Sequence, residues 1–266
     1  MRPSPALAGG GRTVANLLSA TEWMLPSPAT QVHTISVLPS HSPPSPPHHF
    51  AFSNLTTAPK RNGGKGEEEG RPRFEVVRDD LLHPLANGNK ARKLDALLPL
   101  LRRRGATDVV TCGGCQSAHA AATGVIRLVE YLYNLSSFHK HENVHVVVDA
   151  GTGTTAVGLH WRVTAVMLAD TLERYKEREK SLISDFKKLC HNNYHEMVGE
   201  NDIGDSLVEW VERFSPRRFG KVLNGEIALC RQIAQQTGIL LDPMYTLAGW
   251  EQAVDLCVGD SRTKVV

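Results

Sequence analysis

Residues 87–94 read NGNKARKL, and residues 93–104 have the apolar spacing of a helix. Lys90 lies near the start of this predicted helix, beside Arg92 and Lys93. Neighbouring cations disfavour the charged form of an amine, and a lysine must be neutral to form a Schiff base. Lys90 is therefore the candidate catalytic lysine. The alternative is a basic helix start on a solvated face, because most exposed lysines have no further role.

Two glycine-rich turns follow predicted strands. Residues 108–111 (DVVT) lead into TCGGCQSAH at residues 111–119, and a helix is expected from near Ser117 to about residue 133. Residues 144–149 (VHVVVD) read as a buried strand that leads into AGTGTTAVG at residues 150–158. A glycine turn between a strand and a helix directs backbone N–H groups at an anion. The second turn is the predicted phosphate cradle, through Gly151, Thr152, Gly153, Thr154 and Thr155.

The remaining pattern alternates short strands with amphipathic helices. Further strands are predicted at residues 74–78, 162–168 and 239–242. Further helices are predicted at residues 170–190, 205–214, 225–237 and 247–258. This alternation favours an α/β fold built on a parallel sheet.

Composition limits the possible partners. The chain has 266 residues, of which 41% are hydrophobic and 22% charged, and its formal charge is +2. So small a charge gives no support to nucleic-acid binding, and no apolar run is as long as a membrane span. Five cysteines in a chain of this length do not suggest a disulfide framework and fit a reducing compartment.

Residues 1–66 differ from the rest. Their only acidic residue is Glu22, and they are rich in Ser, Thr and Pro with several Arg and Lys. This composition is typical of an organelle transit peptide, and the expected location is mitochondrial, with a chloroplast as an alternative. A disordered tail of a cytoplasmic protein is the alternative. Either way, the composition predicts that residues 1–66 are unfolded and that the folded part starts near Arg73.

Four motifs together resemble one enzyme family. GNKARKL, TCGGCQSAH, DAGTGTTAVGL and GILLDPMYT occur in the order and wording of the D-cysteine desulfhydrase and 1-aminocyclopropane-1-carboxylate deaminase family. The match covers residues 74–259 and is closest to the plant, organelle-directed branch. The resemblance implies a three-layer tryptophan synthase β-like fold with a parallel or mixed sheet, pyridoxal phosphate, a small amino-acid substrate and a homodimer.

The resemblance also implies roles for individual residues. Lys90 matches the lysine that holds the cofactor and moves the substrate's α-proton, and Ser117 matches the serine that contacts the substrate carboxylate. Tyr245 matches a tyrosine that faces the cofactor ring, and Thr246 follows it. The implied catalytic residues are Lys90, Ser117 and Tyr245. The implied cofactor contacts are Lys90, Asn89, Gly151, Thr152, Gly153, Thr154, Thr155, Tyr245 and Thr246.

Three positions differ from the deaminases. Thr246 stands where the cyclopropane deaminases have a glutamate, and Phe219 where they have a second active-site tyrosine. A hydroxyl cannot keep the pyridine nitrogen protonated as a carboxylate does, so β-elimination of D-cysteine is favoured over ring opening. Ala118 replaces an asparagine that bonds the cofactor in the family. A cyclopropane-carboxylate deaminase and a non-catalytic truncated isoform or paralogue are the alternatives.

The chain also looks incomplete against the family. Residues 119–144 leave room for a single helix, where the family has most of a smaller domain. Residues 150–158 are followed so soon by the strand at residue 162 that only a turn is expected between them. The sequence ends SRTKVV, where the family continues into another strand. These gaps predict an impaired or inactive enzyme.

Other side chains suggest weaker alternatives. Cys112 and Cys115 form a C-G-G-C pair that could be redox-active, but packing of small residues in a glycine turn is the simpler interpretation. Cys190 and the histidines near it lack the spacing of a zinc site, so no metal site is expected. His119 could carry a proton near the substrate or be a structural residue.

Overall fold

The structure is a computed structural model. It describes residues 16–39, 48–53, 71–85, 88–108, 118–135, 144–159, 162–189, 208–260 and 263–266. Within these residues, every helix is too short or too polar to cross a bilayer.

A mixed seven-stranded sheet forms the centre of the fold, in the order β2-β1-β3-β7-β4-β5-β6. The strands are β1 (Val32–Pro39), β2 (His48–Ser53), β3 (Arg73–Val77), β4 (Val144–Ala150), β5 (Val163–Met167), β6 (Val208–Glu212) and β7 (Lys264–Val265). Strands β3, β7, β4, β5 and β6 run parallel, and β1 is antiparallel to both of its neighbours. The carboxyl ends of the parallel strands therefore meet at one edge, which is where open α/β sheets bind ligands.

Helices cover both faces of the sheet. They are α1 (Asn89–Arg103), α2 (Ala118–Asn134), α3 (Thr154–Gly158), α4 (Leu172–Leu189), α5 (Glu226–Thr237) and α6 (Thr246–Gly259). Side chains alternate along β4, so Val146 packs into the core formed with α2, α3 and α4, while Val147 packs against the α6 side. These three layers confirm the predicted α/β fold.

Two of the predicted elements are wrong. Residues 205–214 were expected to form a helix, but Val208–Glu212 form β6 at the edge of the sheet. The short run VEWVE fits the periodicity of a helix and that of a strand, and pairing with β5 makes it a strand. Residues 239–242 have no strand pairing, although Ile239 is buried in the core. Most of the predicted strand at residues 108–111 lies outside the described residues.

The prediction that residues 1–66 are unfolded is wrong for their described part. Strands β1 and β2 belong to the sheet, and Ile35 is completely buried. The backbone N–H of Leu25 donates to the buried carboxylate of Asp95 on α1, over 2.7 Å. Composition averaged over the segment hides the alternation of buried residues in β1. A transit segment that reached Gly66 would include both strands.

The predicted gaps have mixed outcomes. Between residues 118 and 144 the described residues hold one helix, α2. The crossover from β4 to β5 was expected to be only a turn, but it contains the five-residue helix α3. In SRTKVV, where the family is expected to continue into another strand, Lys264–Val265 form β7 between β3 and β4.

Candidate active site

A pair of lysines on α1 faces the end of β4. Lys90 is exposed in the first turn of α1, and Lys93 follows one turn later, so the two lie on the same side of the helix. The pKa of Lys93 is lowered to about 8; burial is the main cause, the positive charge of Lys90 acts in the same direction, and the carboxyl of Asp149 opposes both effects. The start of α1 and the carboxyl end of β4 are therefore within electrostatic reach of each other.

Asp149, at the end of β4, connects this pair to a third segment. Burial raises the pKa of Asp149, and the nearby Asp242 raises it further, while its own backbone hydrogen bond and the two lysines lower it. Lys90, Lys93, Asp149 and Asp242 thus form one charged cluster at the carboxyl edge of the sheet.

The predicted phosphate cradle begins where β4 ends. Gly153 has φ 78°, a left-handed conformation that favours glycine, and it precedes the first residue of α3. The hydroxyl oxygens of Thr152 and Thr154 lie 3.2 Å apart. A Cβ atom on Gly151 would lie 3.5 Å from Cε1 of Tyr245. The turn and Tyr245 are therefore adjacent, as the resemblance implies.

Asp242 fixes the turn that carries Tyr245. Its Oδ1 accepts hydrogen bonds from the N–H groups of Met244 (2.9 Å) and Tyr245 (2.8 Å). The Thr246 hydroxyl donates to its Oδ2 over 3.0 Å and accepts from its N–H over 2.8 Å. The Thr246 hydroxyl is therefore engaged within this turn, and its contact with a cofactor ring stays a prediction.

Phe219 lies beside Tyr245. Their ring centroids are 5.5 Å apart at 72°, an edge-to-face arrangement. Both side chains are partly open to solvent, at 44% and 40% exposure. The structure thus places Phe219 at the candidate site.

Several predicted site residues are not placed. Ser117, Cys112 and Cys115 lie outside the described residues, and the side chain of His119 is not described. Asn89 is the exposed first residue of α1.

Sequence reasoning missed two acids. Asp149 has the signal of a polar residue that ends a buried strand, and Asp242 has the signal of an Asp-Pro turn. Neither signal shows that Asp149 interacts with both the lysine pair and Asp242, because the chain segments involved are far apart in sequence.

Comparison with known proteins settles the family. No family model matches the chain. A protein of Oryza sativa subsp. japonica, which carries the provisional name D-cysteine desulfhydrase 2, mitochondrial, is 70% identical over an alignment that covers 100% of this chain and 93% of that protein. The chain belongs to the D-cysteine desulfhydrase and 1-aminocyclopropane-1-carboxylate deaminase family.

A shorter sequence match and a structural match agree with this family. A mitochondrial bifunctional D-cysteine desulfhydrase/1-aminocyclopropane-1-carboxylate deaminase of Arabidopsis thaliana is 37% identical over 84 residues, which are 32% of this chain and 21% of that protein. A crystal structure of a 1-aminocyclopropane-1-carboxylate deaminase homologue superposes with a TM-score of 0.64 at 17% identity, covering 95% of this chain and 92% of that one. The fold is therefore that of the family.

The rice alignment is also longer than this chain. It spans 380 positions, whereas this chain has 266 residues. The rice protein therefore has residues within the aligned region that this chain lacks.

Proposed function

We propose that this chain binds pyridoxal phosphate through Lys90 and catalyses β-elimination of D-cysteine. The substrate and one water give pyruvate, ammonia and hydrogen sulfide: the Cα–H and Cβ–S bonds break, the sulfur leaves with a proton, and water replaces the amino group. The observation that carries the proposal is that the charge of Lys90 acts on Asp149 at the end of β4, just before the 151–155 turn, and that Gly151 of this turn lies beside Tyr245. The 70% identity to the rice protein supports the substrate.

The residues at this edge fit the cofactor. An exposed lysine amine is available to its aldehyde, and the glycine turn offers hydroxyls and backbone N–H groups to its phosphate. The left-handed Gly153 shapes this turn without steric cost. When bound, pyridoxal phosphate delocalises the electron pair left on the substrate's α-carbon.

The protein residues hold the reactants and move the proton. We assign to Lys90 the covalent attachment and the removal of the α-proton. Lys93, with its pKa lowered to about 8, adds positive charge beside Lys90. Because Lys93 is partly buried, Lys90 is the more exposed amine of the pair. Asp242 positions Tyr245 through the hydrogen bond to its N–H, which holds the phenol ring over Gly151.

Two residues beside or after Tyr245 favour elimination over cyclopropane opening. Phe219 brings a ring without a hydroxyl to Tyr245. Thr246 has a hydroxyl in place of a carboxylate, and this hydroxyl donates a hydrogen bond to Asp242. Both differences remove groups that the deaminases carry. The name of the Arabidopsis relative includes both activities, so 1-aminocyclopropane-1-carboxylate remains the second candidate substrate.

Turnover is proposed to be weak. The rice protein has residues within the aligned region that this chain lacks. We propose that they belong to the small domain and that their loss leaves the substrate less enclosed. A non-catalytic chain that still binds the cofactor is the limiting case.

The location and assembly are proposed from the relatives. The rice and Arabidopsis proteins are named as mitochondrial, and we propose the same location for this chain. A fluorescent fusion that follows a mitochondrial marker would support it, and one that follows a chloroplast marker would oppose it. We propose a homodimer, to be measured by light scattering.

The activity test compares D-cysteine, L-cysteine and 1-aminocyclopropane-1-carboxylate. Sulfide and pyruvate should appear in equal amounts from D-cysteine and should be lost in Lys90→Ala. Lys176→Ala, at an exposed position on α4, is the matched control and should keep the activity. Release of 2-oxobutanoate from the cyclopropane acid without sulfide from D-cysteine would refute the substrate assignment.

A further inference from the structure

A fully buried tyrosine lies under the 151–155 turn. Tyr175 is on α4 and has no exposed surface. Its hydroxyl donates to the carbonyl oxygen of Ala150 over 2.5 Å, with the carbonyl oxygen of Gly151 3.1 Å away. The hydroxyl oxygen of Tyr175 also accepts hydrogen bonds from the N–H groups of Leu168 and Ala169, each over 3.3 Å. One phenol thus ties together the carboxyl ends of β4 and β5.

A tryptophan extends this support to the other end of the turn. Trp210 on β6 stacks on Tyr175, with ring centroids 4.8 Å apart at 28°. Its indole N–H donates to Glu179 over 2.8 Å, and Glu179 lies one helical turn after Tyr175. A Cβ atom on Gly153 would lie only 2.7 Å from Cη2 of Trp210. The aromatic pair therefore contacts the turn at Gly151 and at Gly153.

The contact with the phenol fixes the direction of two backbone N–H groups of the turn. In a planar trans peptide the C=O and the following N–H point to opposite sides. Because the carbonyls of Ala150 and Gly151 point at the phenol, the N–H groups of Gly151 and Thr152 point away from it. They are thereby presented on the side of the turn opposite the phenol.

We infer that Tyr175, backed by Trp210, is the positioning residue that orients the turn's N–H groups for the cofactor phosphate. The inference rests on the proposed function. In this chain α3 has only five residues, so a long helix dipole is not available to the anion. The buried phenol supplies the orientation from below instead. It does not itself touch the cofactor.

The test separates the phosphate from the rest of the cofactor. Pyridoxal 5'-phosphate and pyridoxal, which lacks the phosphate, are titrated separately into wild-type protein and Tyr175→Phe, with absorbance as the readout. Loss of one hydrogen-bonded hydroxyl should weaken pyridoxal phosphate binding about three- to tenfold. Pyridoxal binding should not change. Inorganic phosphate should also compete less well with pyridoxal phosphate in the variant.

Tyr131→Phe is the matched control, because it also removes a hydroxyl that donates to a backbone carbonyl, that of Thr30 at 3.0 Å. It should change neither affinity. If Tyr175→Phe fails to fold, Trp210→Phe tests the same support from β6 and should also lower the preference for the phosphorylated compound. Circular dichroism checks both folds.

The outcomes distinguish a failure of the inference about Tyr175 from a failure of the proposed function. If wild type prefers pyridoxal phosphate and both variants keep that preference, the inference is overturned while the proposed function stands. Equal weakening of both compounds would make Tyr175 a merely structural residue and would also overturn it. If wild type binds neither compound, the proposed function fails and the inference fails with it.

Discussion

Gly153→Ala should lower the free energy of unfolding more than alanine does at the other left-handed glycines, because those glycines have open space around them and Gly153 does not. At φ 78° an L side chain is strained by about 1–2 kcal/mol. The new Cβ would also lie 2.7 Å from Cη2 of Trp210, which must then move. Overpacking of this kind typically costs about 1–3 kcal/mol. We therefore expect a total loss of about 2–5 kcal/mol.

Gly238→Ala is the control, because Gly238 has φ +71° and no atom within 4 Å of an added Cβ. It should lose only the backbone part, about 1–2 kcal/mol. Urea unfolding measures both variants. In the double variant Gly153→Ala/Trp210→Phe the clashing indole atoms are gone. Its loss of stability should therefore be smaller than the sum of the losses of Gly153→Ala and Trp210→Phe measured singly. Equal losses for Gly153→Ala and Gly238→Ala would refute the packing of Trp210 against the turn.

Three further variants test other parts of the structure. Ile35→Ala should lower the free energy of unfolding by about 2–5 kcal/mol because its side chain is fully buried, and Phe52→Ala, at a 40% exposed position, should lower it less; equal effects in urea would contradict the placement of β1. The folded state lowers the pKa of Lys93 from 10.5 to about 8, so it binds this proton less tightly than the unfolded chain does. The resulting stability penalty is fully present below pH 8 and disappears as the pH rises to 10.5, so Lys93→Met should raise Tm at neutral pH, and by less in alkaline buffer; a pH-independent difference would contradict it. Asp242→Ala should lose the turn at Tyr245, about 0.5–2 kcal/mol, and weaken cofactor binding, while Asp242→Asn keeps one acceptor oxygen and should lose less; unchanged binding in both would refute its positioning role.

Local sequence patterns predict three segments of the candidate site. The strand before the 151–155 turn, the helix that begins near Lys90 and the DPMYT turn each carry their signal within a few residues. The helix begins at Asn89 and the 151–155 turn joins β4 to α3, as these patterns indicate. The DPMYT turn follows residues that form no strand, and Asp242 fixes it instead.

The support beneath the turn could not be predicted in this way. Tyr175 lies in a run of charged residues that indicates an outer helix face, and its hydrogen-bond partner Ala150 is 25 residues away. Trp210 lies in a segment that was predicted as a helix, and only pairing with β5 makes it a strand. Such contacts depend on tertiary packing, which overrides short-range periodicity.

The N-terminal strands were hidden for a different reason. Composition over a long segment predicts disorder well only when the segment is uniform. Here the alternating run at β1 is followed by a Pro-rich stretch that dominates the average. Burial of Ile35 and Phe50 shows that part of the segment belongs to the core.

The most direct test of the account asks which amine takes the cofactor. The purified chain is mixed with pyridoxal phosphate, its visible spectrum is recorded, the adduct is reduced with borohydride, and the labelled peptide is mapped. We predict a visible absorbance band that is absent in Lys90→Ala, with the label on Lys90 in the peptide that contains residues 87–94. No band, or a label on Lys93 in the wild-type chain, would contradict the assignment of Lys90.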